Sequence, residues 1–441
     1  MNRLAEVARA PLARPLLIAG LALSLQVPGC MIGQLTWERQ RSRDQATAEI
    51  AQTWGASQHL GGPILAVPFR RYGLNDKGKR VEVESGTVAV LPEHLEVNAD
   101  ARVETLRRGL FEVPVYRARF ALSGRFGAAR AAIGTAVPLE AMLWDRAQLV
   151  VRLSDVHAID RVGPLHWAGR AQEFQGGGGT LGASGLHAPL AGFAGDAPFD
   201  FRIELAVRGS DSLHFLPSAR ATTVTLGSAW PHPKFYGAWL PDRREVSAAG
   251  FNARWHVTGV AGGLPAAWKD GGGGEEKLHA ASFGVQLLQP VDPYRMGERS
   301  RKYDLLFIGL TFLAVWLFEQ RTGRAVHPLQ YLMLGAALCL FYLLELSLAE
   351  HLGFGPAYAL AAAAVTVQVS LYARAALRGA WPALVLMAVV AGLYALLYLL
   401  LGEEDYALLA GSAVLFAALS AAMVLTRRIG RGHSGEAASR Q

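Results

Sequence analysis

Two cysteines in 441 residues, Cys30 and Cys339, exclude a disulfide framework and a thiolate metal cage, because both fall inside apolar runs. Charge is scarce as well. Asp, Glu, Lys and Arg make up 18% of the chain, and the mean hydropathy of +0.22 is too high for an ordinary soluble enzyme. No P-loop lysine motif, H-E-x-x-H, G-x-S-x-G or S-x-x-K occurs, which removes the commonest routes to phosphate, zinc and acyl chemistry. Only an enzyme with scattered catalytic residues survives that test. Gly177-Gly178-Gly179-Thr180-Leu181-Gly182 spells G-x-G-x-x-G, but it lies in a glycine tract with no strand before it or helix after it, and so reads as linker. The net charge of +7 is not gathered into a basic stripe interleaved with aromatics, which argues against nucleic acid as a partner. His94, His157, His166, His187, His214, His232, His256 and His279 show no ligand spacing, so no metal or other cofactor is implied.

What the sequence has is apolar length. Five segments, 303–319, 329–349, 354–372, 381–402 and 406–425, each approach the ~20 residues that a helix needs to cross a bilayer. The gaps alternate in charge. Arg321 with Arg324, Arg374 with Arg378, and Arg427, Arg428 and Arg431 follow the odd segments, while Glu350-His351 and Glu403-Glu404-Asp405 follow the even ones. Arginine-bearing short loops stay in the cytoplasm, so the bundle starts outside and its tail ends inside. At the other end of the chain, Arg3, Arg9 and Arg14 precede an apolar run over 15–35, the pattern of an uncut signal anchor with a cytoplasmic N-terminus. Val27-Pro28-Gly29-Cys30 loosely resembles a lipoprotein cleavage site, but a proline stands where a small residue belongs. The expected fold is a multi-pass α-helical membrane protein with six transmembrane helices. Its parts are a cytoplasmic tail (1–14), the first helix (15–35), a periplasmic mainly β domain (36–302), a five-helix bundle (303–426) and a second tail (427–441). Arg39, Arg41, Arg43, Arg295, Arg299, Arg301 and Lys302 put positive charge on the outer side, where a long translocated domain weakens the charge rule.

Within 36–302, residues 37–60 read as a polar helix ended by Gly61-Gly62-Pro63. Valine-rich alternation then marks strands over 64–69, 80–91, 93–106, 110–122, 199–207, 213–226, 250–257 and 280–289, each with one wet face. This predicts a large antiparallel all-β domain of sandwich type between the first and second helices, with a glycine-rich middle that divides it into two lobes near 160–195. Trp230-Pro231-His232-Pro233 opens a stiff aromatic loop that cannot be a central strand. It either covers the open end of the β core or forms a binding surface. In the membrane, Glu345 lies about one turn from the outer end of its helix, and carboxylates collect at the outer rim with Glu350, His351, Glu404 and Asp405. No line of polar groups continues inward from them, which disfavours a transport relay. Small residues such as Gly335, Ala359, Ala361, Gly411 and Ser412 allow close helix packing instead.

Taken in order, several motifs resemble the CreD family of bacterial inner-membrane proteins. They include Trp37-Glu38-Arg39-Gln40, Gly62-Pro63-Ile64-Leu65-Ala66-Val67-Pro68, Trp230-Pro231-His232-Pro233, Arg301-Lys302-Tyr303, His327-Pro328-Leu329-Gln330-Tyr331, Glu350-His351-Leu352-Gly353-Phe354 and Glu404-Asp405-Tyr406, with Gly411-Ser412 beyond. The resemblance implies a non-enzymatic protein of envelope integrity or envelope stress, associated with the lipid bilayer and with an envelope component or a sensor protein as partner. It assigns no role to Trp230, Pro231, His232, Pro233, Lys302, Tyr303, His327, Pro328, Gln330, Tyr331, Glu350, His351, Glu404, Asp405, Gly411 or Ser412, which stand as candidate positions of unknown role. A transporter of a small molecule or lipid, and a membrane-anchored periplasmic hydrolase, are the alternatives.

Overall fold

The computed structural model describes residues 13–134, 137–182, 184–288, 293–322, 325–377, 379–402 and 407–426. The chain divides into a helical unit, Met1–Arg43 with Val291–Gln441, and a β unit, Asp44–Pro290.

The helical unit contains helices Ala13–Ser24, Pro293–Arg301, Asp304–Thr322, Pro328–Leu352, Phe354–Ala376, Ala380–Gly402 and Ala407–Thr426, together with the first part of Gln26–Trp54. Among the described residues, five helical stretches are long and apolar enough to cross a membrane: Arg14–Trp54, Asp304–Thr322, Pro328–Leu352, Phe354–Ala376 and Ala380–Gly402. Their charge-poor composition leaves the helix as the way to satisfy backbone groups in lipid. The interior is largely apolar and aromatic: Phe312, Tyr331, Phe341, Tyr342, Tyr358 and Tyr394 are buried with Leu338, Val365, Leu386 and Leu397. Gly335 and Ala361 belong to this packing, as their size predicts, whereas Ala359 points outward. A Cβ on Gly335 would strike Leu25 and the Phe312 ring.

The β unit is two nine-stranded sheets. The first runs Pro233–Gly237, Phe283–Leu287, Ser212–Phe215, Gln58–Leu74, Gln148–Leu153, Gly185–Pro189, Gln175–Gly176, with Arg80–Val90 and Ala267–Lys269 branching off the Gln58 strand. The second runs Arg243–Ser247, Gly250–Thr258, Ala221–Ser228, His94–Arg108, Phe111–Phe126, Phe199–Ser210, Leu165–Trp167, Arg170–Gln172, with Ile159–Val162 beside the Phe199 strand. One core, including Leu65, Val67, Phe120, Leu122, Phe215, Val224, Trp255 and Phe283, draws on both sheets and on both sides of the glycine tract. The tract therefore does not divide it. Alternating burial in Gly250–Thr258 and Phe199–Ser210 follows the sequence alternation, one face inward and one wet. The run Ile64–Val67 is buried on both faces, because Ile64 and Ala66 meet a second small core with Trp268 and Leu278.

Four further expectations are corrected. The unit is not purely antiparallel, since Gln58–Leu60 pairs with Leu213–Phe215, and Ala221–Ser228 with His94–Ala101, in parallel. The helix ends at Trp54, and Gly61-Gly62-Pro63 lies inside a strand, tolerated by a register shift between Gly61 and Ile64 and by Gly62 at φ 98°. The run 213–226 is two strands in different sheets. Pro217 lacks an amide donor, and beside it the Ser218 hydroxyl accepts from Gly62 N at 2.6 Å where the chain changes sheet. Finally, half of the aromatic loop is a strand: Pro233–Gly237 occupies the edge of the first sheet, the place where proline is tolerated.

Candidate functional site

The candidate positions do not converge on one place; they build fasteners. His327-Pro328-Leu329-Gln330-Tyr331 starts the Pro328 helix. Proline at the first turn needs no donor, His327 Nδ1 accepts from Leu329 N at 3.2 Å, and His327 N donates to Gln330 Oε1 at 3.1 Å. This cap aims Tyr331 into the bundle, where its hydroxyl donates to Glu319 Oε2 at 3.0 Å. Glu319 Oε1 also accepts from Val326 N at 3.2 Å and pairs with the Arg14 guanidinium, whose Nη2 reaches Val326 O at 3.3 Å. A carboxylate 4% exposed on the Asp304 helix is thus held by donors from the Ala13 helix, the Pro328 helix and the segment that leads into it.

A second cluster lies at the C-terminal end of the Pro328 helix. Tyr294, buried, donates to Glu350 Oε1 at 3.0 Å, and Arg39 Nε lies 3.6 Å from the same oxygen. Burial, followed by the Glu350 charge, pushes the Tyr294 phenol up, so it stays a donor at neutral pH. A little more than one turn earlier, Glu345 is 1% exposed; its Oε2 accepts from Ser300 Oγ at 2.9 Å while its Oε1 has no partner among the described residues.

The other candidates are scattered. His351 is exposed in the last turn of the same helix. Lys302 is exposed, 3.9 Å from Glu298, and Tyr303 is half-buried beside Gly411. Ser412 bonds back to its own helix at Leu409 O, 2.8 Å away. Glu404 and Asp405 lie outside the described residues. Trp230 is half-buried and ties its loop to Leu288 O at 3.1 Å, and Leu288 N returns a bond to the carbonyl of His232, whose side chain is exposed. Pro231 is half-buried between them, and Pro233 begins the edge strand.

Sequence spacing missed the histidine pair. His59 and His214 are 155 residues apart but paired in register across the parallel strands, and their rings stack at 4.1 Å. Tyr236, from the edge strand, bonds His214 through its hydroxyl. Burial and then the neighbouring His59 lower His214 to about 4, against a smaller opposing pull from Asp211; burial and then His279 lower His59. Among the described residues no three His, Cys, Asp or Glu side chains are grouped as ligands. Strand pairing was the missing signal there; Glu319, at the end of an apolar segment, was also missed, whereas Glu345 was singled out from the sequence.

The comparisons agree with this architecture. The family model described as "CreD: Inner membrane protein CreD" matches residues 10–430. "Inner membrane protein CreD" of Escherichia coli (strain K12) is 32% identical over 417 residues, spanning 93% of this chain and 91% of that protein. Matched over nearly its whole length, the chain belongs to the CreD family of inner membrane proteins.

Proposed function

We propose that this multi-pass inner-membrane protein is a non-enzymatic component of cell-envelope integrity or the envelope stress response. It crosses the membrane six times with both termini in the cytoplasm, the sixth crossing being Ala407–Thr426. Its β unit lies in the periplasm, where it senses or braces an envelope component. The observation that carries this reading is how the bundle uses its carboxylates: Glu319 and Glu350 are each bound by donors from several elements and serve as fasteners between helices. Aromatic and aliphatic side chains fill the interior, which favours anchoring over transport. Orientation is supported by the arginines after the odd segments. Three of the arginines that run against the charge rule are engaged: Arg39 with Glu350, Arg41 over the ring of Trp37, and Arg299 with Leu400 O at 3.5 Å.

The test is labelling with a membrane-impermeant maleimide in cells whose outer membrane is permeabilised, on a Cys30→Ser background. Lys77→Cys, in the exposed turn after the Gln58 strand, should react in intact cells, and Ser434→Cys only after lysis. The reverse pattern overturns the reading, and so does solute flux through liposomes carrying the purified protein.

A further inference from the structure

A trough of about 600 Å³ opens on the solvent face of the second sheet. Its floor comes from strands His94–Arg108, Phe111–Phe126 and Phe199–Ser210, and Ile159–Val162 forms the far wall. Register decides which side chains meet there. Asp100 pairs with Arg119, Arg119 with Ala206, and Ala206 with Arg161, so these four form one cross-strand row. Two residues along on the same face, Asn98, Ala121 and Glu204 form a second row. The two alanines leave the floor low between taller polar neighbours.

The charges in the trough are unevenly spent. Asp100 is 3.8 Å from Arg102, and Glu204 is 3.3 Å from Arg202. Arg119, Arg161 and Asp160 make no hydrogen bond or ion pair among the described residues, so two unused guanidiniums stand against one unused carboxylate. The arginines sit two strand spacings apart, ~10 Å, with Ala206 between them.

We propose that this trough binds an acidic glycan, with Arg119 and Arg161 receiving its carboxylate and Asn98, Asp100 and Glu204 bonding its hydroxyls. A guanidinium presents a planar fork that matches a carboxylate, and carboxylate side chains are strong acceptors for sugar O–H groups. With three carboxylates, Asp100, Asp160 and Glu204, beside two arginines, the lining repels the closely spaced phosphates of a nucleic acid, whereas a sugar unit bearing one carboxylate can set it against the arginines and turn its hydroxyls to the acids. The proposal rests on the periplasmic placement of the β unit and names the ligand class that this unit meets there.

The test titrates the full-length protein in detergent micelles with N-acetylglucosaminyl-N-acetylmuramic acid, followed by microscale thermophoresis, beside the same disaccharide with its carboxylate amidated. Saturable binding is expected, weakened at least about tenfold by amidation, by Arg119→Gln and by Arg161→Gln. Arg254→Gln, exposed on the same sheet but outside the trough, should bind as the parent does. Both trough arginines are exposed, so the variants should keep the parent's thermal unfolding, which separates lost binding from lost fold. No saturable binding of the acidic disaccharide, or binding unmoved by amidation or by both substitutions, overturns the proposal. If maleimide labelling still places Lys77→Cys outside, that failure refutes the trough alone; a cytoplasmic β unit refutes the placement and the trough with it.

Discussion

The imidazole of His59 lies flat on that of His214, the ring planes 5° apart, although 155 residues of chain separate them. Folding buries His214 and brings a second imidazole against it, so the folded state accepts a proton there only near pH 4, against 6.5 for an ordinary histidine. Between those values the unfolded chain binds more protons than the folded one. Stability of the β unit should therefore be full above pH 6.5, fall as pH drops toward 4 and level off below, losing up to about 3 kcal/mol from this group. Denaturant unfolding followed by tryptophan fluorescence at pH 7.5, 6 and 4.5 measures it. His59→Gln removes the neighbouring ring that helps depress His214 and should flatten the slope; an unchanged slope would contradict the coupling.

Arg14 and Glu319 should respond unequally to neutralisation. The Arg14 side chain is 45% exposed and can hydrate when its partner is lost, whereas Glu319, at 4%, cannot. Arg14→Gln should cost more than Glu319→Gln, about 2–4 kcal/mol, because it strands a buried carboxylate with one fewer donor. Thermal unfolding in detergent, read by a thiol-reactive dye on buried Cys339 in a Cys30→Ser background, orders the two variants.

The membrane segments were legible because bilayer thickness leaves a direct mark on apolar run length. The longer half-wet strands were legible from alternation, which marks a strand's wet face but carries nothing about its neighbour and passes over short strands such as Gln148–Leu153 and Gly185–Pro189. Hence the parallel pairing of Gln58–Leu60 with Leu213–Phe215, and the stacking of His59 on His214, were invisible. Glu319 looked like the end of a hydrophobic segment; its role needs Arg14 and Tyr331 from other helices, and no local pattern encodes that. The His327 motif was conspicuous, yet its capping role appears only once the helix start is fixed at Pro328.

Removing that cap should loosen the start of the Pro328 helix. His327→Ala should cost about 1 kcal/mol, while His327→Asn, which keeps a side-chain acceptor, should stay within a few tenths of the parent. The Cys339 dye assay compares them, and equal losses in both variants would assign the histidine another role.

Gly335 should not accept a larger residue. A Cβ there meets Leu25 and the ring of Phe312, so Gly335→Val should destabilise the bundle by about 1–3 kcal/mol. Pairing it with Leu25→Ala, which opens the space, should recover part of the loss in the same unfolding assay. No recovery would mean that the contact does not set the helix approach.

The first sheet places its final strand, Phe283–Leu287, directly between Ser212–Phe215 and the edge strand Pro233–Gly237, and joins Ser212–Phe215 to the strand that opens the unit at Gln58. Assembly therefore has a clock. While the chain is being made, the Gln58 strand must wait, unpaired at that side along Gln58–Leu60, until residue 215 has emerged, and Ser212–Phe215 must wait for its own second neighbour until residue 287, since long-range pairings are slow to close and exposed strand edges aggregate. The β unit completes as a whole or stays open, which makes the nascent chain, rather than the finished protein, the form most in need of a chaperone.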